Sequence, residues 1–271
     1  MPELPEVEVS RRGLEPLLRG RRILNADIRQ AKLRWPIPPN LAADVRGRRL
    51  VGLGRRAKYL LFDLDGPHLI LHLGMSGSLR VLSRKQDPGP HDHWDLRFSG
   101  GRILRYRDPR RFGALLWAPG DPADHPRLRD LGPEPLSTAF DGAWLYVRSR
   151  GRRAAVKSLL MDARQVVGVG NIYANEALFR AGIRPDREAG RISRQRYQKL
   201  AEAVVQVLEE ALERGGSTLR DFQDPSGEPG YFTQNLDVYG RGGEPCRRCR
   251  KPLREIRLGQ RSTVYCHHCQ R

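Results

Sequence analysis

The chain has no cysteine before position 246; all four lie within the last 26 of its 271 residues. A disulfide framework through the body of the protein is therefore excluded, and any covalent or metal staple is confined to one end. Long apolar runs are missing as well. Stretches such as Tyr59–Leu64 and His68–Leu73 fall far short of the roughly 20 residues that a membrane-spanning helix requires. Acid is scarce: 31 Asp and Glu face 49 Lys and Arg, a formal net charge of +18. An excess of that size draws a protein toward polyanions and makes binding fall steeply with salt. Charge alone would also suit a ribosomal protein or one resting on a membrane surface. There is no internal repeat or low-complexity tract, and the acidic, Pro-broken start Met1-Pro2-Glu3-Leu4-Pro5-Glu6 has the character of neither a signal nor a transit peptide. The expectation is a soluble, cytoplasmic protein without a membrane partner.

What is present is concentrated at the C-terminal end. Cys246/Cys249 and Cys266/Cys269 form two Cys-x-x-Cys pairs separated by sixteen residues, a spacing that closes a tetrahedron of thiolates around one zinc ion. Four reduced, metal-free thiols or a disulfide pair are the alternatives. The same segment carries Arg247, Arg248, Arg250, Lys251, Arg254, Arg257, Arg261 and Arg271 against the single acid Glu255. A metal-pinned ribbon rich in arginine suits phosphate, and so nucleic acid. Four cysteine ligands leave no open coordination position for water, which makes the expected zinc structural rather than hydrolytic.

Periodicity divides the remainder. Residues 5–18 read as a helix, with Pro5 at its first position and Glu6 and Glu8 complementing its positive end. From about 23 to 118 the pattern is that of short strands. Trp94, Leu96 and Phe98 alternate with Asp95 and Arg97, and Ser99-Gly100-Gly101 turns the chain into Ile103-Leu104-Arg105-Tyr106. Several such strands predict a β-sandwich. Leu131-Gly132-Pro133-Glu134-Pro135 reads as a linker. Beyond it a helix is predicted from Asn171 to about Ala181. Another runs from the N-cap Ser193 to the stop Gly215-Gly216, its stripe being Leu200, Val204, Val207, Leu208, Ala211 and Leu212.

Motifs spread along the chain carry a resemblance. They are Met1-Pro2-Glu3-Leu4-Pro5-Glu6-Val7-Glu8, Arg55-Arg56-Ala57-Lys58-Tyr59, His72-Leu73-Gly74-Met75-Ser76-Gly77, Asp108-Pro109-Arg110-Arg111-Phe112-Gly113, Val167-Gly168-Val169-Gly170-Asn171-Ile172-Tyr173, and the four-cysteine ribbon. In this order they resemble bacterial formamidopyrimidine-DNA glycosylases, over nearly the entire chain. The resemblance implies an α+β multidomain fold: an N-terminal β-sandwich with an N-terminal helix (residues 1–132), a helix-two-turns-helix domain with a lesion-recognition loop (133–235) and a zinc ribbon (236–271). It implies a monomer that acts on damaged duplex DNA, excising oxidised purines and cutting the abasic strand.

The resemblance also implies roles. Pro2, once Met1 is removed, is the secondary-amine nucleophile that forms an iminium with the sugar; otherwise it only starts a helix. Glu3 is a general acid/base, its plainer role being that of a helix-dipole partner. Lys58, in a predicted strand, takes part in proton transfer and phosphate binding; Arg261 clamps the departing phosphate. Met75, Phe112 and Arg110 enter the void left by the extruded nucleotide; their glycine neighbours suit loop tips, whereas core packing is the ordinary fate of Met and Phe. Asn171 grips phosphate at a helix start, or is simply its N-cap. His72, His91, Arg152 and Lys157 match further DNA-contact positions, although the family's lysine-rich segment is here Arg152-Arg153. The segments 215–220 and 227–232 flank a loop similar to the one that closes over the lesion. Rival readings are a relative that prefers oxidised pyrimidines, a catalytically silent nucleic-acid binder, and a ribosome-associated basic protein.

Overall fold

Helix α1 (Leu4–Leu18) begins where its caps require. Glu3 is the N-cap in extended backbone, Pro5 lies in the first turn, and the Glu6 carboxylate accepts the Glu3 N–H at 2.7 Å, one half of a capping box. Leu4, Val7, Leu14 and Leu18 are all fully buried. The computed structural model describes residues 2–215 and 236–271. These fall into two units, one made of the residues up to Arg129 with Arg214 and Gly215, the other of Asp130–Glu213 and the described C-terminal residues.

In the first unit, two four-stranded antiparallel sheets face each other across one apolar core. One has the order β1 (Ile23–Ile28), β6 (Asp92–Phe98), β7 (Ile103–Arg107), β5 (Ser78–Leu82). The other runs β2 (Gly52–Arg56), β3 (Tyr59–Asp63), β4 (His68–His72), β8 (Ala114–Ala118). A short helix α2 (Leu41–Val45) packs beside β1. The sandwich predicted from alternation is present, with Trp94 stacked on Tyr106 in its core at 5.1 Å. One detail of that alternation is overturned. Asp95 does not face solvent: it is 3% exposed, held by two bonds from Arg105 and one from Arg29. Charge pairing lets a carboxylate occupy a position that the polar/apolar pattern assigns to the surface.

Register decides which loops meet. Tyr59 pairs with His72, His72 with Ala114, and Ser78 with Arg107. The β2–β3 turn, the β4–β5 loop and the β7–β8 connection therefore emerge at one end of the unit.

The second unit is helical with a two-stranded ribbon. Its elements are α3 (Gly142–Ser149), α4 (Val156–Met161), α5 (Asn171–Arg180), α6 (Arg194–Glu213), β9 (Arg254–Leu258) and β10 (Arg261–Tyr265). Helices α5 and α6 match their predicted spans, and Ser193 accepts the Arg196 N–H as a cap. The buried stripe of α6 adds Tyr197, Ala201 and Ala203, while Leu212 is only half-buried. Helices α3 and α4, of 8 and 6 residues, are too short to print a period in sequence. The stretch 131–135 is not a linker. Gly132 N–H donates to Ala163 O at 2.8 Å, Pro133 O accepts from Val167 N–H at 3.2 Å, and a Cβ on Gly132 would meet Arg164 O at 2.8 Å. Its Gly and Pro serve close backbone packing instead. The fold is thus α+β: a β-sandwich carrying an N-terminal helix, a helical part in which 162–170 joins α4 to α5, and a cysteine ribbon. The expected lesion-recognition loop lies outside the described residues, as does Met1.

Candidate active site and metal centre

At the loop end of the first unit, Pro2 and Glu3 are both buried, immediately ahead of α1. The helix start is tied to the neighbouring turn through Glu8. Its carboxylate receives Arg11, Arg12 and, at 3.2 Å, Arg55; Arg55 in turn donates to Ala57 O at 3.0 Å. Burial by itself would raise the Glu8 pKa, but the hydrogen bonds of Arg11 and Arg12 and the charges of Arg11 and Arg55 outweigh it and hold the group below its usual range. Lys58 is not in a strand. It occupies the two-residue turn between β2 and β3, after Ala57 in the left-handed region at φ 56°.

His72 closes β4 beside this turn. Its Nδ1 accepts the Gly74 N–H at 2.9 Å and its ring meets Tyr59 edge-on at 4.8 Å. Burial, then the charges of Lys58 and Arg34, push its pKa down to about 4. The imidazole is therefore neutral near pH 7, with Nε2 as the donor. Met75 and Phe112 are 36% and 43% exposed, on the β4–β5 and β7–β8 loops respectively. Arg110 stacks on Phe112 at 4.9 Å. The half-buried His91 precedes β6, and its carbonyl accepts the Asp108 N–H. The first unit thus holds Pro2, Glu3, Lys58, His72, Met75, His91, Arg110 and Phe112.

The second unit holds the others. Gly259 and Gln260 form a two-residue turn with φ of 53° and 61°, as a type I′ hairpin demands, and Arg261 follows at the start of β10. Arg261 is exposed, and its guanidinium has no partner among the described residues. Asn171 is the first residue of α5, not its cap; Gly170 is the cap. The Asn171 amide donates to Ser262 O at 3.1 Å, while its Oδ1 is buried without a partner among the described residues. Lys157 is the clearest departure from expectation. It is 1% exposed, and its ammonium donates to Ser262 O at 3.0 Å and to Thr263 Oγ1 at 2.6 Å. It is a buried support for the hairpin that carries Arg261 rather than a surface contact to DNA. Arg152, after α3, is exposed.

The four cysteine sulfurs lie within 4.8 Å of one another, with Cys246–Cys269 at 3.9 Å and Cys249–Cys266 at 3.5 Å. Four sulfurs at zinc–sulfur distances of about 2.3 Å stand about 3.8 Å apart, so the set fits one tetrahedral zinc. The spacing is far too long for disulfides. As bare thiols they crowd one another: burial, followed by hydrogen bonds with Cys249, Cys266 and Cys246, pushes Cys269 up to about 12. A divalent cation at the centre removes that penalty.

Three further residues carry the site's geometry. Asp108 is fully buried and accepts four hydrogen bonds from the exposed loops and their base. Asn175 accepts the Val264 N–H through its side chain at 3.1 Å. The buried Glu176 carboxylate accepts the N–H groups of Asp237, Val238 and Tyr239 at 2.8–3.0 Å. Burial raises the Glu176 pKa, against the opposing effect of those three donors. Sequence offered one clue, the place of Asp108 at the head of the Asp108–Gly113 motif; Asn175 and Glu176 sit on an ordinary helix, and only distant partners reveal them. No helix among the described residues is long and apolar enough to cross a membrane.

Comparison with known proteins gives a consistent result. The chain matches the description "Formamidopyrimidine-DNA glycosylase N-terminal domain" over residues 1–115, "Formamidopyrimidine-DNA glycosylase H2TH domain" over 131–223 and "Zinc finger found in FPG and IleRS" over 243–271. A formamidopyrimidine-DNA glycosylase of Halorhodospira halophila is 61% identical over 272 positions, spanning the whole of both chains. The crystal structure of the MutM (Fpg) protein from Thermus thermophilus superposes with a TM-score of 0.90 at 40% identity, over 99% of this chain and 98% of that one. Lactococcus lactis Fpg in complex with DNA containing Fapy-dG superposes with a TM-score of 0.90 at 31% identity, over 99% of each chain.

Proposed function

Because the chain belongs to the formamidopyrimidine-DNA glycosylase family, we propose that it is a bifunctional base-excision repair enzyme. It excises oxidised purines, 8-oxoguanine and ring-opened formamidopyrimidines, from duplex DNA and then cuts the strand on both sides of the abasic sugar. The observation that carries the catalytic reading is the position of Pro2, buried directly ahead of the Glu3-capped helix. It functions as a cytoplasmic monomer.

With Met1 removed, the Pro2 nitrogen carries a lone pair and attacks C1′ of the extruded nucleotide. The glycosidic bond breaks, and its electron pair leaves with the base, which takes up a proton. Glu3 protonates O4′ as the C1′–O4′ bond opens, and the nitrogen loses its hydrogen to give a C1′ iminium. The iminium acidifies the C2′ hydrogen; loss of that proton expels the 3′ phosphate. A second elimination expels the 5′ phosphate, and water then releases the sugar fragment and restores the amine. Lys58 and neutral His72 bind phosphate at the loop end, with Lys58 also moving protons, and Arg261 clamps the departing phosphate as a fixed cation. Met75 and Phe112 replace lost stacking, and Arg110 bonds the orphaned base. His91, Arg152 and Asn171 contact the backbone. The zinc held by Cys246, Cys249, Cys266 and Cys269 supplies only rigidity.

Borohydride trapping tests this. Protein whose intact mass shows Met1 removed becomes covalently linked to an 8-oxoguanine:cytosine duplex, and Pro2→Gly greatly reduces the adduct. Absence of any adduct identifies a silent DNA binder, and preferential excision from a thymine-glycol duplex identifies the pyrimidine-directed relative.

A further inference from the structure

The two loops that carry Met75 and Phe112 are separate in sequence yet share one buried carboxylate. Asp108 Oδ1 accepts Ser76 Oγ–H at 2.8 Å and the Arg110 N–H at 3.3 Å; Oδ2 accepts Tyr106 O–H at 3.0 Å and the Gly113 N–H at 2.9 Å. All the acceptor capacity of an ionised carboxylate is thereby directed at groups on, or under, the two loops. Ser76 adjoins Met75. Arg110 and Gly113 bracket the strained Arg111, at φ 53°, and Phe112. Tyr106, stacked on Trp94, forms the floor, and its hydroxyl also lies 3.1 Å from Leu73 O at the root of the first loop.

The loops also touch backbone to backbone. A Cβ on Gly74 would stand 2.4 Å from Gly113 N and 2.5 Å from Phe112 C; one on Gly113 would overlap the Tyr106 hydroxyl. No side chain fits between them at Gly74.

We propose that Asp108 is a positioning residue that joins the Met75 loop and the Arg110–Phe112 loop into a single rigid wedge. The three exposed side chains then enter the duplex together instead of each paying its own ordering entropy on arrival. This rests on the reading of Met75, Arg110 and Phe112 as the void-filling set. Asp108 touches no reacting atom. Its effect falls on extrusion of the base, and a substrate with no base to extrude bypasses it.

Asp108→Asn is the direct test, because the amide keeps the shape but replaces one acceptor oxygen by an N–H donor that faces two other donors. Excision from an 8-oxoguanine duplex should slow by about 10- to 100-fold, whereas strand cleavage at a preformed abasic site in single-stranded DNA stays within about 3-fold. Ser76→Ala, which removes one link and leaves Tyr106 and Gly113 held, should give a smaller loss of the same kind, about 3- to 10-fold, and decides the matter should Asp108→Asn fail to fold. A 2-aminopurine placed beside the lesion reports the wedge directly, its unstacking signal rising more slowly in both variants. Equal loss on both substrates, or no loss on the duplex, overturns the proposal. Met75→Ala, which breaks no bond to Asp108, separates the two ideas: unimpaired excision in that variant refutes the void-filling reading itself, whereas impaired excision there beside normal Asp108→Asn and Ser76→Ala refutes only the coupling.

Discussion

The Lys157 ammonium lies 2.6 Å from the Thr263 hydroxyl, 106 positions further along the chain. With its second bond to Ser262 O, where the Asn171 amide also donates, it fixes the strand that Arg261 begins. A lysine that reads as a surface cation is here a buried strut.

Lys157→Met should therefore act on stability before it acts on DNA. It leaves one lone pair of Thr263 Oγ1, whose hydroxyl still donates to Arg261 O, and one lone pair of Ser262 O unfilled, which costs about 1–3 kcal/mol. Chemical denaturation measures that loss. Cleavage of a preformed abasic strand should fall along with it, as the Arg261 hairpin loosens. A variant with wild-type stability and weakened DNA affinity would instead return Lys157 to the surface.

His72 sets a pH dependence. Its folded pKa is about 4, below the ordinary value of 6.5, so between these values the unfolded chain holds a proton that the folded one refuses. The His72 contribution to stability is therefore complete above pH 6.5 and declines as pH falls toward 4. The shift corresponds to at most ~3–4 kcal/mol. Thermal melts from pH 7 to 4.5 should show a shallower decline for His72→Gln than for the parent protein.

Gly74→Ala should damage the loop pair more than any surface change. The residue sits at φ 77°, and a Cβ there meets Gly113 N at 2.4 Å. Left-handed strain and the backbone clash together cost about 2–4 kcal/mol. A melting temperature within a degree of the parent would show that the loops can part.

Metal analysis should find one zinc per chain, lost together with the ribbon. Stripping zinc with a strong chelator, or Cys266→Ser, should abolish binding to lesion duplexes, while the near-ultraviolet signal of the stacked Trp94–Tyr106 pair persists. Full binding by zinc-free protein would make the ribbon dispensable.

Much of this protein is written locally. The Pro2-Glu3-Leu4-Pro5-Glu6 start, the alternation through Trp94 and Phe98, the stripe of α6 and the paired Cys-x-x-Cys knuckles each express short-range physics: capping, pleat, helical period and ligand bite. Hence the sandwich, the long helices and the metal set could be read directly. What sequence could not convey were the partners of charged groups. Asp95 and Lys157 look like surface residues until Arg105 and the β10 hairpin arrive beside them, and 131–135 looks like a linker until Ala163 and Val167 bond to it. Asp108 is a single letter in a loop motif, and only strand register brings Ser76 and Gly113 to its two oxygens. Local propensity decides which elements form; burial of polar groups is settled by long-range pairing, because a charge leaves water only where the fold supplies its partners.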